Sequence, residues 1–332
     1  MKRRLFIDEL TAGLGTGDVS ILARAITLVE STLPSDREQA GLLIHECLRT
    51  PRQTMRVAIT GVPGVGKSTF IESLGTHIIE ACREKVAVLA IDPSSPLSGG
   101  SIMGDKTRMP RLSASPRAFI RPTPSRGGLG GVHQRTRETI LLCEAAGFRN
   151  VIIETVGVGQ SEVAAASMTD FFLLLLLANA GDELQGVKRG ILEVCDLVAI
   201  NKADGDNVQA AELARRQHEN ALRMLPGGRH PQVLTCSGLY GIRIAAIWSE
   251  VIRFEAAARA SGAFEQRRRR QLEQWTNELF ESLLRDRIES NNAARHAELR
   301  EAVLAGRITP AQAAHQMVDA VFNPESGGSG RD

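Results

Sequence analysis

The sequence predicts an α/β fold: a mostly parallel central sheet covered by helices on both faces, with helical extensions at either end. Three observations predict it. Seven short, continuous apolar runs alternate with helical segments between residues 56 and 235, the pattern of strands buried on both faces. The first run leads directly into a glycine-rich turn and then a helix. Residues able to do chemistry fall just beyond the carboxyl ends of these runs, where open parallel sheets bind their ligands.

The elements follow in order. Ile21, Leu22, Ala25, Ile26 and Val29 share one helical face behind a cap at Asp18. Ser35-Asp36-Arg37-Glu38 has capping-box spacing and opens a second helix that ends near Arg49, closed by Pro51. Residues 1–50 thus read as a helical extension without chemistry of its own, and 51–260 as the α/β domain. Strands are expected at 56–60, 86–91, 118–121, 151–154, 171–177, 197–200 and 232–235. After Ile242 the chain turns charged and helical. One long helix is expected over 264–288, with Leu272, Trp275, Leu279 and Leu283 along one stripe. Thr309-Pro310-Ala311-Gln312 opens a last helix, a capping box with proline at the first helical position. Residues 261–323 read as a C-terminal helical arm, and the Gly/Ser-rich 324–332 as a disordered tail.

Composition narrows the function classes. The chain has 332 residues and a net charge of only +2, so nothing global argues for nucleic acid or a membrane surface as partner. The basic run Arg267–Arg270 has no aromatic stacking platform beside it and reads as a solvated face or a dimer contact. The N-terminal stretch lacks an apolar core of signal-peptide length, and the longest apolar run, 171–178, is far too short to span a bilayer. Cys47, Cys82, Cys143, Cys195 and Cys236 are scattered, with no C-x-x-C, and read as buried free thiols of a cytoplasmic protein.

The strongest motif is Gly61-Val62-Pro63-Gly64-Val65-Gly66-Lys67-Ser68-Thr69, which fits the phosphate-loop spacing G-x-x-x-x-G-K-[ST]. Glycines let successive backbone N–H groups curl around phosphate oxygens, and the helix N-terminus adds partial positive charge. Lys67 can reach the β- and γ-phosphates, and the Ser68 hydroxyl can ligate Mg²⁺. The motif makes the chain a P-loop NTPase that binds a nucleoside triphosphate.

Asn201-Lys202-Ala203-Asp204, after the sixth run, selects the base. A carboxylate at Asp204 accepts from both N1–H and the 2-amino group of guanine, whereas adenine leaves it unpaired. Asn201 braces the loop, and the Lys202 stem lies over the base. Ser237 and Gly238, after the last strand, stand where a backbone N–H meets guanine O6, a weak signal by itself. Glu154 ends the fourth run and can hold a Mg²⁺-bound water, and the Gly157 N–H can meet the γ-phosphate. Asp92 and Asp105, on a long glycine-rich stretch, can approach the same ion as second-sphere carboxylates or can be solvated capping acids. The stretch with Asp182, Glu183, Gln185 and Lys188 reads, on its residues alone, as a solvated helix start; the alternative is a mobile loop beside the γ-phosphate.

The strings 61–69, Ala90-Ile-Asp-Pro-Ser-Ser95, 99–109, Glu154-Thr-Val-Gly-Val-Gly-Gln-Ser-Glu162 and 181–188 together resemble the MeaB/ArgK family, from about residue 15 to about residue 320. These are G-protein chaperones of adenosylcobalamin-dependent acyl-CoA mutases, the human methylmalonic aciduria type A protein among them. The resemblance implies a GTPase fold of the signal-recognition and metallochaperone class and a homodimer built partly through the C-terminal helices. It implies GTP hydrolysis that gates cofactor loading onto a mutase, with an adenosyltransferase as a further partner. It puts Asp92, Asp105 and Glu154 around Mg²⁺. It also makes Asp182–Lys188 a switch that answers the mutase, with Gln185 and Lys188 entering the catalytic site. No cobalamin site is read on this chain. Two rivals remain enzymes: an ATP-dependent kinase of a transport system, and a metal-insertion GTPase, against which the lack of Cys/His clusters near the phosphate loop argues. A third is a scaffold that holds nucleotide without using it.

Overall fold

The structure is a computed structural model, which describes residues 6–49, 53–91, 107–123, 129–155, 160–178, 189–224 and 230–322. Three helices precede the sheet: α1 (Ile7–Thr16), α2 (Val19–Glu30) and α3 (Pro34–Arg49). α1 lies within the helical extension expected over residues 1–50; its own signal is only Leu10 and Leu14, a turn apart and both buried. The cap of α2 is as expected: the Asp18 carboxylate accepts from the N–H groups of Ser20 and Ile21 at 2.7 and 3.2 Å. The opening of α3 is corrected by one step. Pro34 is its first residue, and the Asp36 and Arg37 N–H groups donate to Leu33 O, so Ser35–Glu38 lies inside the first turn.

All seven expected strands form. They are β1 (Met55–Gly61), β2 (Val86–Ile91), β3 (Ala118–Thr123), β4 (Asn150–Thr155), β5 (Phe171–Leu177), β6 (Leu197–Asn201) and β7 (Gln232–Thr235). They make one parallel sheet in the order β3-β2-β4-β1-β5-β6-β7. β1 lies between β4 and β5, with Ile59 beside Glu154 and Gly61 beside Leu175. That register brings the glycine-rich turn and the Glu154 carboxylate to adjacent strand ends. The core under it includes Val57, Ile59, Phe70, Ile71, Leu74, Leu173 and Trp248.

At the opposite edge of the sheet the basic run has a different role from the one expected. Arg268 donates to both oxygens of the fully buried Asp170 at 2.5 and 2.6 Å, to Glu144 at 3.1 Å and to Thr54 O at 3.0 Å. Arg56 adds a two-pronged pair to Glu144, at 2.7 and 2.9 Å. Arg267 pairs with Asp196 at 3.5 Å. These two arginines are therefore anchors rather than a solvated face, while Arg269 and Arg270 are exposed. Arg268→Ala leaves Asp170 and Glu144 short of a buried counter-charge, so the expected loss is about 3 kcal/mol of unfolding free energy, read by urea denaturation. The pH dependence has a definite sign. Burial pushes the Glu144 carboxyl up, but Arg56 and Arg268 outweigh it, and its net pKa lies below the ordinary 4.5. Its contribution is therefore present above pH 4.5 and lost as the pH falls below that value. The expected outcome is an acid limb below pH 4.5 in the unfolding free energy that Glu144→Gln flattens.

Among the described residues three helices follow β7: Ile244–Ala260, Ala263–Leu304 and Pro310–Phe322. The second is 42 residues long and extends well past the expected end at 288. No glycine or proline interrupts it, and its Asn291-Asn292 pair does not break it. The capping box of the last helix forms as expected, with Thr309 N–H to Gln312 Oε1 at 2.9 Å and Gln312 N–H to Thr309 Oγ1 at 3.2 Å. By contacts the chain divides into two compact units, Met1–Gln271 and Leu272–Asp332. In the second unit Leu272, Phe280, Leu283 and Leu284 are exposed along the long helix. All five cysteines are free; Cys82 is exposed, against expectation, because it sits just past the end of the helix Lys67–Ala81.

Candidate functional site

The phosphate loop is built by its glycines. Helix α4 (Lys67–Ala81) begins directly after Gly66, whose φ of +93° is a left-handed conformation that side chains resist. A Cβ there would also stand 3.0 Å from Asn201 Nδ2. Val65 is buried under the loop and donates its N–H to Val62 O at 3.2 Å, while Pro63 and Gly64 are exposed at the tip. Lys67 Nζ donates back to Gly61 O at 2.6 Å and Val62 O at 3.1 Å, so its ammonium already lies inside the curl. Burial lowers the Lys67 pKa, against the pull of the carboxylates of Glu154 and Glu162. Ser68 Oγ donates to Glu154 Oε1 at 2.9 Å, and Thr69 is exposed beside it in the first turn. The structure thus joins Gly61, Lys67, Ser68 and Glu154 in one cluster. It adds two residues with no role expected from the motifs: Glu162, buried and within electrostatic reach of Lys67, and Thr60, whose hydroxyl takes a 2.8 Å bond from Thr155 beneath the loop.

The second cluster forms where β6 and β7 end. Asn201 ties three segments together: Nδ2 donates to Val65 O at 2.8 Å, and Oδ1 accepts the Gly238 N–H at 2.9 Å and the Cys236 thiol at 3.6 Å. Lys202 has a φ of +58°, is exposed, and runs its stem along the phosphate loop at Gly66. Asp204 is half-buried, and Ser237 Oγ donates to its Oδ2 at 2.5 Å. The Tyr240 N–H donates to Ser237 Oγ at 3.2 Å, which sets the hydroxyl's direction. The N–H groups of Ser237 and Gly238, expected to face guanine O6, are donated instead to Ile242 O and Asn201 Oδ1. Those two residues hold the loop and orient Asp204.

Asp92, Asp105, Gly157, Asp182, Glu183, Gln185 and Lys188 lie outside the described residues. Within the described part, a helix N-terminus and lysine suited to phosphate and a braced carboxylate suited to a base share the carboxyl edge of one sheet.

Comparison with known proteins decides the family. The family model of methylmalonyl-CoA mutase-associated GTPase MeaB matches residues 22–293. The chain belongs to this family. Its MeaB relatives are close along nearly the whole length. A probable GTPase of Mycobacterium tuberculosis is 50% identical over 318 residues, covering 94% of each chain. GTPase ArgK of Escherichia coli is 47% identical over 290 residues, with 86% of this chain and 87% of that one covered. A mitochondrial methylmalonic aciduria type A homolog of Mus musculus is 41% identical over 334 residues, with 96% and 80% covered. A crystal structure described as an LAO/AO transport system kinase superposes with a TM-score of 0.76 at 36% identity, covering 97% of this chain and 99% of that one. The MeaB-family chain is accordingly a P-loop GTPase.

Proposed function

We propose that this GTPase is a chaperone of an adenosylcobalamin-dependent acyl-CoA mutase, of the methylmalonyl-CoA mutase type. GTP binding and hydrolysis gate loading of the cofactor and protect the mutase from inactivation. The observation that carries the nucleotide half is the pair of clusters at the sheet's carboxyl edge, joined by the Asn201 side chain. The client half is supported by the family's description and by the methylmalonic aciduria type A relatives.

The chemistry follows from the residues. On triphosphate binding, the Lys67 ammonium exchanges two carbonyl oxygens for anionic phosphate oxygens. Ser68 Oγ and the Glu154 carboxylate, 2.9 Å apart, are a hard oxygen pair that fits Mg²⁺, with Ser68 as direct ligand and Glu154 holding a bound water. Bound there, the ion neutralises charge on the phosphates. The Lys67 charge and the α4 N-terminus stabilise what develops on the transferred group. The Glu154–Gly157 stretch positions the attacking water, and Asp92 and Asp105 complete the surroundings of the ion. Gln185 and Lys188, with Asp182 and Glu183, form a switch that the mutase drives into the site, so turnover of the chain alone is slow. The product is GDP, released between rounds.

The active form is a homodimer through the 261–323 arm; the exposed Leu272, Phe280, Leu283 and Leu284 support that assignment. An adenosyltransferase is the source of the cofactor, and the setting is the cytoplasm. Among the described residues no helix is long and apolar enough to cross a membrane. The role is tested by following the activity of a cofactor-loaded mutase over repeated turnovers with GTP present. The wild-type chain slows the loss of mutase activity and Lys67→Ala does not. Equal protection by Lys67→Ala makes the chain a scaffold and overturns the role of hydrolysis.

A further inference from the structure

We infer that Ser73, a residue of α4 outside every motif in the sequence, is a positioning residue for guanine recognition. The inference rests on the reading of Asp204 as the base-binding carboxylate.

The base-reading loop meets the phosphate helix at Gly238. A Cβ on Gly238 would lie 2.8 Å from Phe70 Cα and 3.0 Å from Phe70 N, so the two backbones pack directly on each other. Backbone cannot swing aside as a side-chain tip can, and only glycine fits there. Such a contact sets how closely the loop approaches but supplies no directional bond. Ser73 supplies that bond: its hydroxyl donates to Gly238 O at 2.5 Å. A helical serine ordinarily spends its hydroxyl on its own helix, four residues back. Here it crosses 165 residues of sequence instead. The same Gly238 residue donates its N–H to Asn201 Oδ1 at 2.9 Å, so it is held on both sides.

What this holds is the separation between phosphate cradle and base. Ser73 sits on the helix that opens with Lys67 and Ser68. Gly238 follows Ser237, whose hydroxyl aims the Asp204 carboxylate. The Ser73 bond therefore fixes Asp204 relative to the phosphate loop. Loosening it moves the base end of the site and leaves the phosphate end in place.

The experiment is calorimetric titration of the full chain with GDP, IDP, ADP and inorganic tripolyphosphate, all with Mg²⁺, for wild type, Ser73→Ala and Ser73→Thr. In Ser73→Ala, GDP affinity falls about five- to tenfold, the worth of one hydrogen bond. IDP, which lacks the 2-amino group that Asp204 reads, loses less, and tripolyphosphate is unchanged. Ser73→Thr, which keeps the hydroxyl, restores GDP binding. Three outcomes overturn the inference: GDP affinity unchanged in Ser73→Ala, an equal loss for GDP and tripolyphosphate, or no recovery in Ser73→Thr. Wild type binding ADP as tightly as GDP overturns the guanine reading itself, and Ser73's role with it.

Discussion

Lys67→Ala lowers kcat for GTP by about 10³-fold, the loss that follows removal of a preorganised charge aimed at the transferred group. The geometry explains why the loss is large. The lysine is the first residue of α4, and its Nζ is held by the Gly61 and Val62 carbonyls within the loop that curls around phosphate. It is in place before substrate arrives, so little reorganisation is needed during the reaction. Burial has already lowered its pKa, and phosphate oxygens are better partners than the two carbonyls they displace. Binding weakens as well, because the same ammonium reaches the β-phosphate of GDP. Single-turnover hydrolysis at saturating GTP separates the two effects. A fall in KM-limited turnover alone, with the saturated rate preserved, contradicts a role in the chemical step.

Asp204→Asn reverses base preference. In the proposed role the carboxylate accepts from N1–H and from the 2-amino group of guanine; the amide presents one acceptor and one donor, which matches xanthine. GDP affinity is expected to fall by about a hundredfold or more, because a buried donor then faces a donor. XDP affinity rises past it. Ser237 can accommodate the exchange, since its hydroxyl, which donates to Oδ2, can turn to accept from the new amide while still accepting the Tyr240 N–H. Competition between GDP and XDP for a fluorescent guanine nucleotide measures it. An unchanged order of affinities removes Asp204 from base recognition.

The residues involved show what the sequence made legible. Local rules reach local structure: the short apolar runs located every strand, and the phosphate-loop spacing located the turn before α4 because the loop, the lysine and the helix start are contiguous. The Asp18 cap and the Thr309–Gln312 box were visible for the same reason. The misses are contacts between segments far apart in sequence. Nothing near Ser73 says that it meets Gly238, and nothing near Arg268 says that it will close on Asp170 and Glu144. A run of four arginines looks like a solvated surface until the fold puts buried acids opposite two of them. The Gly238 N–H, expected to meet the base, faces Asn201 instead, because that one side chain braces two loops at once. The bounds of α1 within the helical extension were not legible because Gly13 and Gly15 lower its helix propensity, while the burial of Leu10 and Leu14 carries it to its left-handed cap at Gly17.

In the proposed role, GTP turnover by this chain answers a mutase. The most direct measurement is the rate of GTP hydrolysis by the purified chain as a purified adenosylcobalamin-dependent acyl-CoA mutase is titrated in, with ATP in parallel. Slow turnover of GTP alone, a marked saturable rise with the mutase, and no turnover of ATP are expected. A GTP rate that does not respond to such mutases contradicts the chaperone assignment, and ATP turnover equal to that of GTP contradicts the base-reading site.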